Sequence, residues 1–241
     1  MGLRGKNILI TGAAARIGKA MAFAVADVGA NVIIHYWTSK DAAQKTQSEL
    51  KAKGVDAYIL QADLNDLQSV PTIIERSLAY GPIFALVNNA SIFENKVFTN
   101  VDLDAWNRHM NVNLTTPFLL SQSFANSIGK NMQGRIVNIL DWRAARPGDD
   151  HLPYTISKAG LAALTRSTAI SLAPQITVNG IALGAILPPS DGGNIDHITN
   201  DIPMSRWANL NEVGETLLFL LDGPSYITGE IIHLDGGRHL I

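Results

Sequence analysis

The stretch "NILITGAAARIGKAMAFAVADVGANVIIHY", residues 7–36, carries the reading from which the rest follows. A short apolar run rich in branched side chains (7–11) meets a glycine. Apolar residues at helical spacing follow (17–29), then a second apolar run (31–36). The order is strand, tight turn, helix, strand. The runs are apolar nearly throughout rather than alternating, which suits a parallel sheet covered on both faces. Gly12 permits the turn, and Gly18 lets the helix lie close to the strand with its N-terminus facing a pyrophosphate. The middle glycine of the usual dinucleotide pattern is absent; Arg16 stands there, followed by Ile17.

Outward from this unit the alternation continues. Further strand-like runs lie at 57–61, 84–90, 135–140, 176–182 and 230–235, and helix-periodic segments at 40–53, 66–80, 102–128, 154–173 and 211–222. The pattern predicts an α/β, Rossmann-like doubly wound fold with a seven-stranded parallel sheet and helices on both faces. Ligands are expected beyond the carboxyl ends of the strands. The 241 residues suffice for one domain, 1–241, and no linker or repeat interrupts them. The longest irregular stretch, about 184–209, follows the sixth strand at the ligand edge and is expected to form a substrate lid. Within it Asp191, His197, Asp201 and Trp207 are open between substrate contact and solvent.

Composition narrows the function. A formal net charge of −2, spread evenly, excludes nucleic acid or an anionic membrane as the main partner. There is no cysteine, so disulfides and thiol catalysis are excluded. The six histidines show no paired metal-ligand spacing, and no catalytic metal is expected. No run approaches the roughly 20 apolar residues that cross a bilayer, and the chain enters its first strand without a signal-peptide core. A cytoplasmic protein acting on a small molecule is the expectation.

Beyond the third strand, Asp63 and Leu64 are placed to meet an adenine. "VNNAS" brings Asn89, Ala90 and Ser91 close to a ribose. An NAD site wants an acid at the end of the second strand. Here the chain reads His35-Tyr36-Trp37-Thr38-Ser39-Lys40, with no acid until Asp41. Hydroxyls and a lysine suit a 2′-phosphate, so NADP(H) is favoured; a polar loop in solvent is the competing reading. At the other end, Tyr154 and Lys158 stand at i, i+4 and share one helix face. A free phenol, with a pKa near 10, is a poor acid–base at neutral pH. A nearby ammonium and a positive nicotinamide ring are expected to lower it.

On these residues the chain resembles the short-chain dehydrogenase/reductase family over essentially its whole length. The matches are "TGAAARIG" (11–18), "DL" (63–64), "NNA" (88–90), "NVN" (111–113), "YTISK" (154–158), "NG" (179–180) and "DGG" (235–237). The resemblance implies Tyr154 as proton donor and Lys158 as ligand of the nicotinamide ribose that also tunes Tyr154. It implies Asn113 as holder of a relay water. Three departures, Asp141 in the region of the usual serine, Arg16, and "NNASIF" for "NNAG", resemble the pteridine reductase and dihydromonapterin reductase branch. There the equivalent residues imply that Arg16 reaches cofactor phosphate and pterin, that Ser91 lies beside the pterin, and that Phe93 stacks over it. Plainer roles stay open: Arg16 as phosphate ligand only, Ser91 as a small residue, Phe93 as core filler. After the sixth strand Leu183-Gly184 replaces the frequent Pro-Gly. Gly184 keeps its backbone freedom, and nicotinamide is expected against Gly184 and Ile186. The family's habit of pairing long helices implies a homotetramer, for which the small residues of 157–173 leave room.

The chemistry separates two activities. Reducing a ketone develops an oxyanion, which wants a neutral hydroxyl donor; an ionised aspartate would repel it. Reducing a C=N bond in a pterin or folate requires a proton on ring nitrogen, which a carboxyl touching Tyr154 can relay. Asp141, Tyr154 and Lys158 are therefore expected to form a proton-delivery group. The competing reading is that Asp141 ties down the loop 142–152 through Arg143 or Arg146. Two other functions remain beside it: a carbonyl reductase such as a 3-oxoacyl-[acyl-carrier-protein] reductase, and a catalytically idle NADP-binding regulatory protein.

Overall fold

A computed structural model describes residues 2–188 and 198–241. The strands are β1 (Asn7–Ile10), β2 (Asn31–Tyr36), β3 (Ala57–Gln61), β4 (Ile83–Asn88), β5 (Gly134–Asp141), β6 (Ile176–Leu183) and β7 (Ile231–Leu234). All pair in parallel, in the order β3-β2-β1-β4-β5-β6-β7. The helices are α1 (Arg16–Asp27), α2 (Lys40–Lys51), α3 (Pro71–Leu78), α4 (Leu103–Met110), α5 (Thr116–Ser127), α6 (Leu152–Leu172) and α7 (Leu210–Asp222).

Successive strand residues serve opposite layers. Ile8, Ile10, Val32 and Ile34 pack with Met21, Val25, Leu50 and Leu217, from α1, α2 and α7. Leu9 and Ile33 pack the other way, with Ile73, Leu120, Phe124 and Ala169, from α3, α5 and α6. With helices on both faces, neither set of side chains meets water, which is why the strands carry no polar alternation. The doubly wound seven-stranded sheet is the fold expected from the pattern. Its winding reverses between β1 and β4, and the ends of those strands open the crevice where ligands of such sheets bind.

Two helical segments differ from the periodicity. Residues 66–70 form turns, with Ser69 N–H donating to Asp66 O at 3.0 Å, and α3 begins only at Pro71. Proline suits a first helical position, where its missing N–H is no loss. The segment 102–128 is not one regular helix, because a π-helical turn, Asn111–Thr115, lies between α4 and α5. Pro117 has no N–H to give the carbonyl of Asn113, and Thr116 N–H donates instead to Asn111 O, five residues back.

Of the expected lid, residues 189–197, Asp191 and His197 among them, lie outside the described residues. Its return leg is tied down. Ala208 N–H donates to Ala185 O (3.0 Å) and Met204 N–H to Gly236 O (3.1 Å), and Ile202 is buried. Asp201 is exposed and Trp207 half-buried. No helix among the described residues is long and apolar enough to cross a membrane, and no group of His, Cys, Asp and Glu among them could hold a metal ion.

Candidate active site

The nucleotide turn is built from glycine geometry and one buried histidine. Gly12 lies at φ +65°, and its N–H donates to His35 Nδ1 at 3.2 Å. His35 Nε2 is 3.2 Å from Ala62 O. With Nδ1 accepting, the proton sits on Nε2, and burial lowers the imidazole to about 4, so it stays neutral. His35 was expected among the cofactor ligands. Both ring nitrogens are spent on the protein, so it supports the turn from beneath as a strut between strand ends. Tyr36 is also buried, whereas Trp37, Thr38, Ser39 and Lys40 are exposed.

A side chain at Gly18 would overlap the Gly12 carbonyl and come within 2.7 Å of Asn89 Nδ2. Arg16 takes φ +53°, the left-handed conformation that the missing glycine would adopt freely, and its Nη2 donates to Pro188 O at 2.7 Å. Ile17 packs on the core beside α1. No acidic residue or side-chain cap occupies the start of α1, so its first N–H groups remain for an anion. Across the switch point, Thr11 Oγ1 accepts from the N–H groups of Asn89 and Ala90, both at 2.9 Å, and Asn89 Nδ2 donates to Thr11 O at 2.7 Å. Asp63 Oδ1 accepts from Asn65 N–H, while Leu64 is buried and its carbonyl accepts from Thr116 Oγ1. Gly184 N–H donates to Leu234 O, and Ile186 is buried beside it.

Gly18→Ala is expected to lower stability by about 1–3 kcal/mol, the usual range for overpacking. It should weaken dinucleotide binding about tenfold or more. Thermal unfolding and a fluorescence titration with NADPH check this together; a variant matching the parent in both would mean the close approach is dispensable.

At the other end of the crevice Asp141 closes β5. Its Oδ1 accepts from Arg143 N–H at 2.9 Å, and its Oδ2 accepts from the Tyr154 hydroxyl at 3.0 Å. One oxygen thus anchors the following loop and the other meets the phenol, so the two readings of Asp141 describe one carboxyl. Arg143 supplies the anchor, and its Nη1 lies 4.0 Å from Asp141 Oδ1; Arg146 N–H instead donates to Trp142 O. Lys158 Nζ donates to Ile139 O at 2.7 Å and lies 5.6 Å from the centre of the Tyr154 ring.

Burial dominates the electrostatics of all three groups. It raises Asp141 above the usual carboxylate range, against the pull of Arg143, Tyr154 and Lys158. Burial, then the charge and hydrogen bond of Asp141, push Tyr154 well above 10. Burial lowers Lys158 to about 8, with Asp141 acting the other way. The expectation that Lys158 lowers the phenol is corrected here. The partner of the phenol is Asp141, and the lysine spends its hydrogen bond on a carbonyl. Tyr154 is a neutral donor, and the readily titrated groups are those around it.

Asn113 sits in the π-helical turn. Its Oδ1 accepts from Ile92 N–H (2.9 Å) and Ser91 Oγ (3.1 Å), and its Nδ2 donates to Ile92 O (3.0 Å) and Ser157 Oγ (3.1 Å). Those four bonds use the whole capacity of the amide. The side chain pins the loop 91–93 to α6, and Ser91 spends its hydroxyl on that joint. The group that Pro117 leaves for another donor is the Asn113 backbone carbonyl. Phe93, 41% exposed, stacks on His151 (3.9 Å between centroids, 13°) and meets Tyr154 edge-on (4.6 Å, 83°).

Sequence reasoning left Trp142, Asp150, His151 and Arg238 out of the site and gave Arg143 only a possible anchoring role. Arg143 pairs with Asp150 (Nη2 to Oδ2, 3.0 Å) and lies 4.9 Å from the Trp142 ring. The guanidinium of Arg238 lies 4.2 Å from the same ring. His151 heads α6 at φ +50°, its Nδ1 2.9 Å from Asp150 Oδ2 but not aligned for a hydrogen bond. A signal existed, since "DWRAARPGDDH" crowds charge and an aromatic between two expected catalytic residues.

Comparison with known proteins places this geometry among reductases. A family model described as enoyl-(acyl carrier protein) reductase matches residues 12–239. The solved structure of FolM alternative dihydrofolate reductase 1 from Brucella canis, complexed with NADP, is 35% identical, with a TM-score of 0.93 over 100% of this chain and 97% of that one. A curated relative, 3-oxoacyl-[acyl-carrier-protein] reductase FabG of Aquifex aeolicus, is 36% identical over 98% of each chain. FabG of Staphylococcus aureus is 32% identical, again over 98% of each.

Proposed function

The chain belongs to the short-chain dehydrogenase/reductase family, and on that premise we propose that it uses NADPH to reduce the C=N bond of a dihydropterin. Membership makes it a nicotinamide-dinucleotide-dependent oxidoreductase, and NADP is the cofactor in the FolM structure it resembles. The observation that carries the finer reading is the Asp141 carboxyl in hydrogen-bond contact with the Tyr154 phenol, 3.0 Å apart in a buried site.

The nucleotide end fits the cofactor. The uncapped start of α1, with Gly12, Arg16, Ile17 and Gly18, would hold the pyrophosphate. Trp37, Thr38 and Ser39, with no acid among them, would take the 2′-phosphate. Asp63 and Leu64 would meet the adenine, and Asn89, Ala90, Ser91, Tyr154 and Lys158 the nicotinamide ribose. Gly184 and Ile186 would flank the nicotinamide. NADPH, when bound, supplies the hydride.

The chain's own residues manage the proton. Reduction of C=N adds a hydride to carbon and a proton to nitrogen. Tyr154 Oη, protonated at all ordinary pH values, gives that proton and takes one from Asp141, whose raised affinity for protons makes it the reservoir. Lys158, protonated below about 8, holds the ribose and balances the charge that remains on Asp141. Phe93 borders Tyr154 as an apolar wall for a flat ring, which Arg16 and Ser91 would meet as further contacts. The FolM likeness supports this reading.

A second reading, carbonyl reduction of a 3-oxoacyl thioester, is supported by the FabG relatives. The intact Asn113, Tyr154 and Lys158 speak for catalysis rather than an idle cofactor-binding role. A cytoplasmic homotetramer completes the proposal. Leu103, Phe118 and Ile156 on α4, α5 and α6 are exposed, as are Ile170 and Phe219 on α6 and α7, and they offer apolar faces for association.

The test is NADPH oxidation by the purified protein with dihydrobiopterin, dihydrofolate and an acetoacetyl thioester in parallel. Turnover of a pterin, with kcat/KM at least about tenfold above that for the thioester, is the expected result. Turnover of the thioester alone would replace the proposal with carbonyl reduction.

A further inference from the structure

The last turn of the chain is built to hold one cation against Trp142, the residue that follows Asp141. Asp235, buried at the end of β7, accepts from Gly237 N–H (2.9 Å), His239 N–H (2.8 Å) and His239 Nδ1 (2.7 Å). Gly236 and Gly237, both at positive φ, reverse the chain, and His239 stacks on His233 at 4.0 Å. This turn lays the Arg238 guanidinium on Trp142, the residue after Asp141. A guanidinium held 4.2 Å from an indole centre gains from the ring without spending an N–H on it, so its donors remain for a carboxylate or phosphate.

No acceptor among the described residues takes a hydrogen bond from the Arg238 guanidinium, whose backbone N–H donates to Asp235 O at 3.2 Å, whereas the Arg143 guanidinium, on the same indole, is held by Asp150. Burial and the neighbouring Arg143 disfavour the charge on Arg238. Asp201, Asp141 and Asp150 favour it from a distance, without contact. The outcome is a half-buried cation on the residue that follows Asp141, whose guanidinium hydrogen bonds no described residue satisfies.

We propose that Arg238 is an anion subsite that takes a carboxylate or phosphate carried by the substrate away from the bond being reduced. It rests on the pterin reading for the ring, not for the place. With a pterin ring at Tyr154, the anion is the glutamyl carboxylate of a folate, and Arg238 selects folates over pterins with neutral side chains.

The experiment compares the full-length parent with Arg238→Gln and Arg238→Lys, using NADPH and both dihydrofolate and dihydrobiopterin. The ratio of their kcat/KM values is expected to fall about tenfold in the glutamine variant, chiefly through KM for dihydrofolate, with the lysine variant between. An unchanged ratio, or an equal loss on both substrates, overturns the proposal. If only thioesters are turned over, the same ratio is read for acetoacetyl-CoA against its N-acetylcysteamine counterpart, which lacks phosphate. A fall there keeps the subsite while the pterin reading fails; no fall sinks the subsite as well. Calorimetric titration with p-aminobenzoylglutamate, a charged tail without a pterin, reads the contact without turnover. Weaker binding by the glutamine variant supports the subsite, and equal binding overturns it.

Discussion

Asp141→Ser is expected to lower kcat on a dihydropterin by roughly 10²–10³-fold, the range of a lost general acid. Turnover of an acetoacetyl thioester should be kept or improved, because a neutral hydroxyl then stands where an oxyanion develops. Serine also loses the anchor to Arg143 N–H, so Asp141→Asn is the sharper partner. Its amide oxygen can still accept that bond, yet it carries no proton to relay. Full pterin turnover in the asparagine variant would reduce Asp141 to a loop anchor. The pH dependence follows from the raised pKa of the carboxyl. Asp141 is a proton source only while protonated, so pterin turnover should decline as pH rises through its folded pKa, and that limb should vanish in the variants. Stability runs the same way. A carboxyl raised on folding contributes below its unfolded pKa and loses that contribution as pH climbs. At neutral pH the group opposes folding, and Asp141→Asn should melt no lower than the parent.

Lys158→Met is expected to reduce kcat/KM about 10²–10³-fold and to remove an alkaline limb. Burial lowers this lysine to about 8 from an ordinary value of 10.5. The ammonium is therefore present below about pH 8 and lost above it, and parent activity should fall there. For stability the sign is opposite to that of the activity. Between about pH 8 and 10.5 the unfolded chain binds the proton that the folded chain has released, so stability rises with pH across that window. Methionine fills much of the same volume without a charge to bury, so the variant should fold at neutral pH while turning over poorly. Rate profiles for both proteins between about pH 6 and 10 decide the matter. A limb near 8 that survives in the methionine variant belongs to another group.

The fold was legible because its signals are local. Gly12 and Gly18, the nearly unbroken apolar strands and the intervening helical periods each follow from covering both faces of a parallel sheet. Within the site, Asp141, Tyr154 and Lys158 could be grouped from their position after the fifth strand. The hydrogen bond between Asp141 and Tyr154 needs only that strand end and the first turn of α6. What escaped depends on contacts distant in sequence. Arg238 reaches Trp142 across about a hundred residues, and His35 faces inward because the backbone groups of Gly12 and Ala62 converge on it. The direction of the Tyr154 shift depends on burial, which spacing does not report. The break after α4 was readable, since Pro117 follows Asn113 by four residues and removes the donor a regular helix would place there.

Arg16 joins the nucleotide turn at the start of α1 to the segment that follows β6. It occupies a left-handed conformation that disfavours a side chain by about 1 kcal/mol or more, while its guanidinium donates to Pro188 O, five residues past the end of β6. On the dinucleotide reading, a pyrophosphate at the α1 N-terminus and the carbonyl of Pro188 are two pulls on one side chain. Linkage of this kind is reciprocal: whatever the cofactor adds to substrate affinity through Arg16, the substrate returns to the cofactor in equal measure. On that reading, mutual strengthening of cofactor and substrate across the crevice would rest on a single residue placed where the motif would have put a glycine.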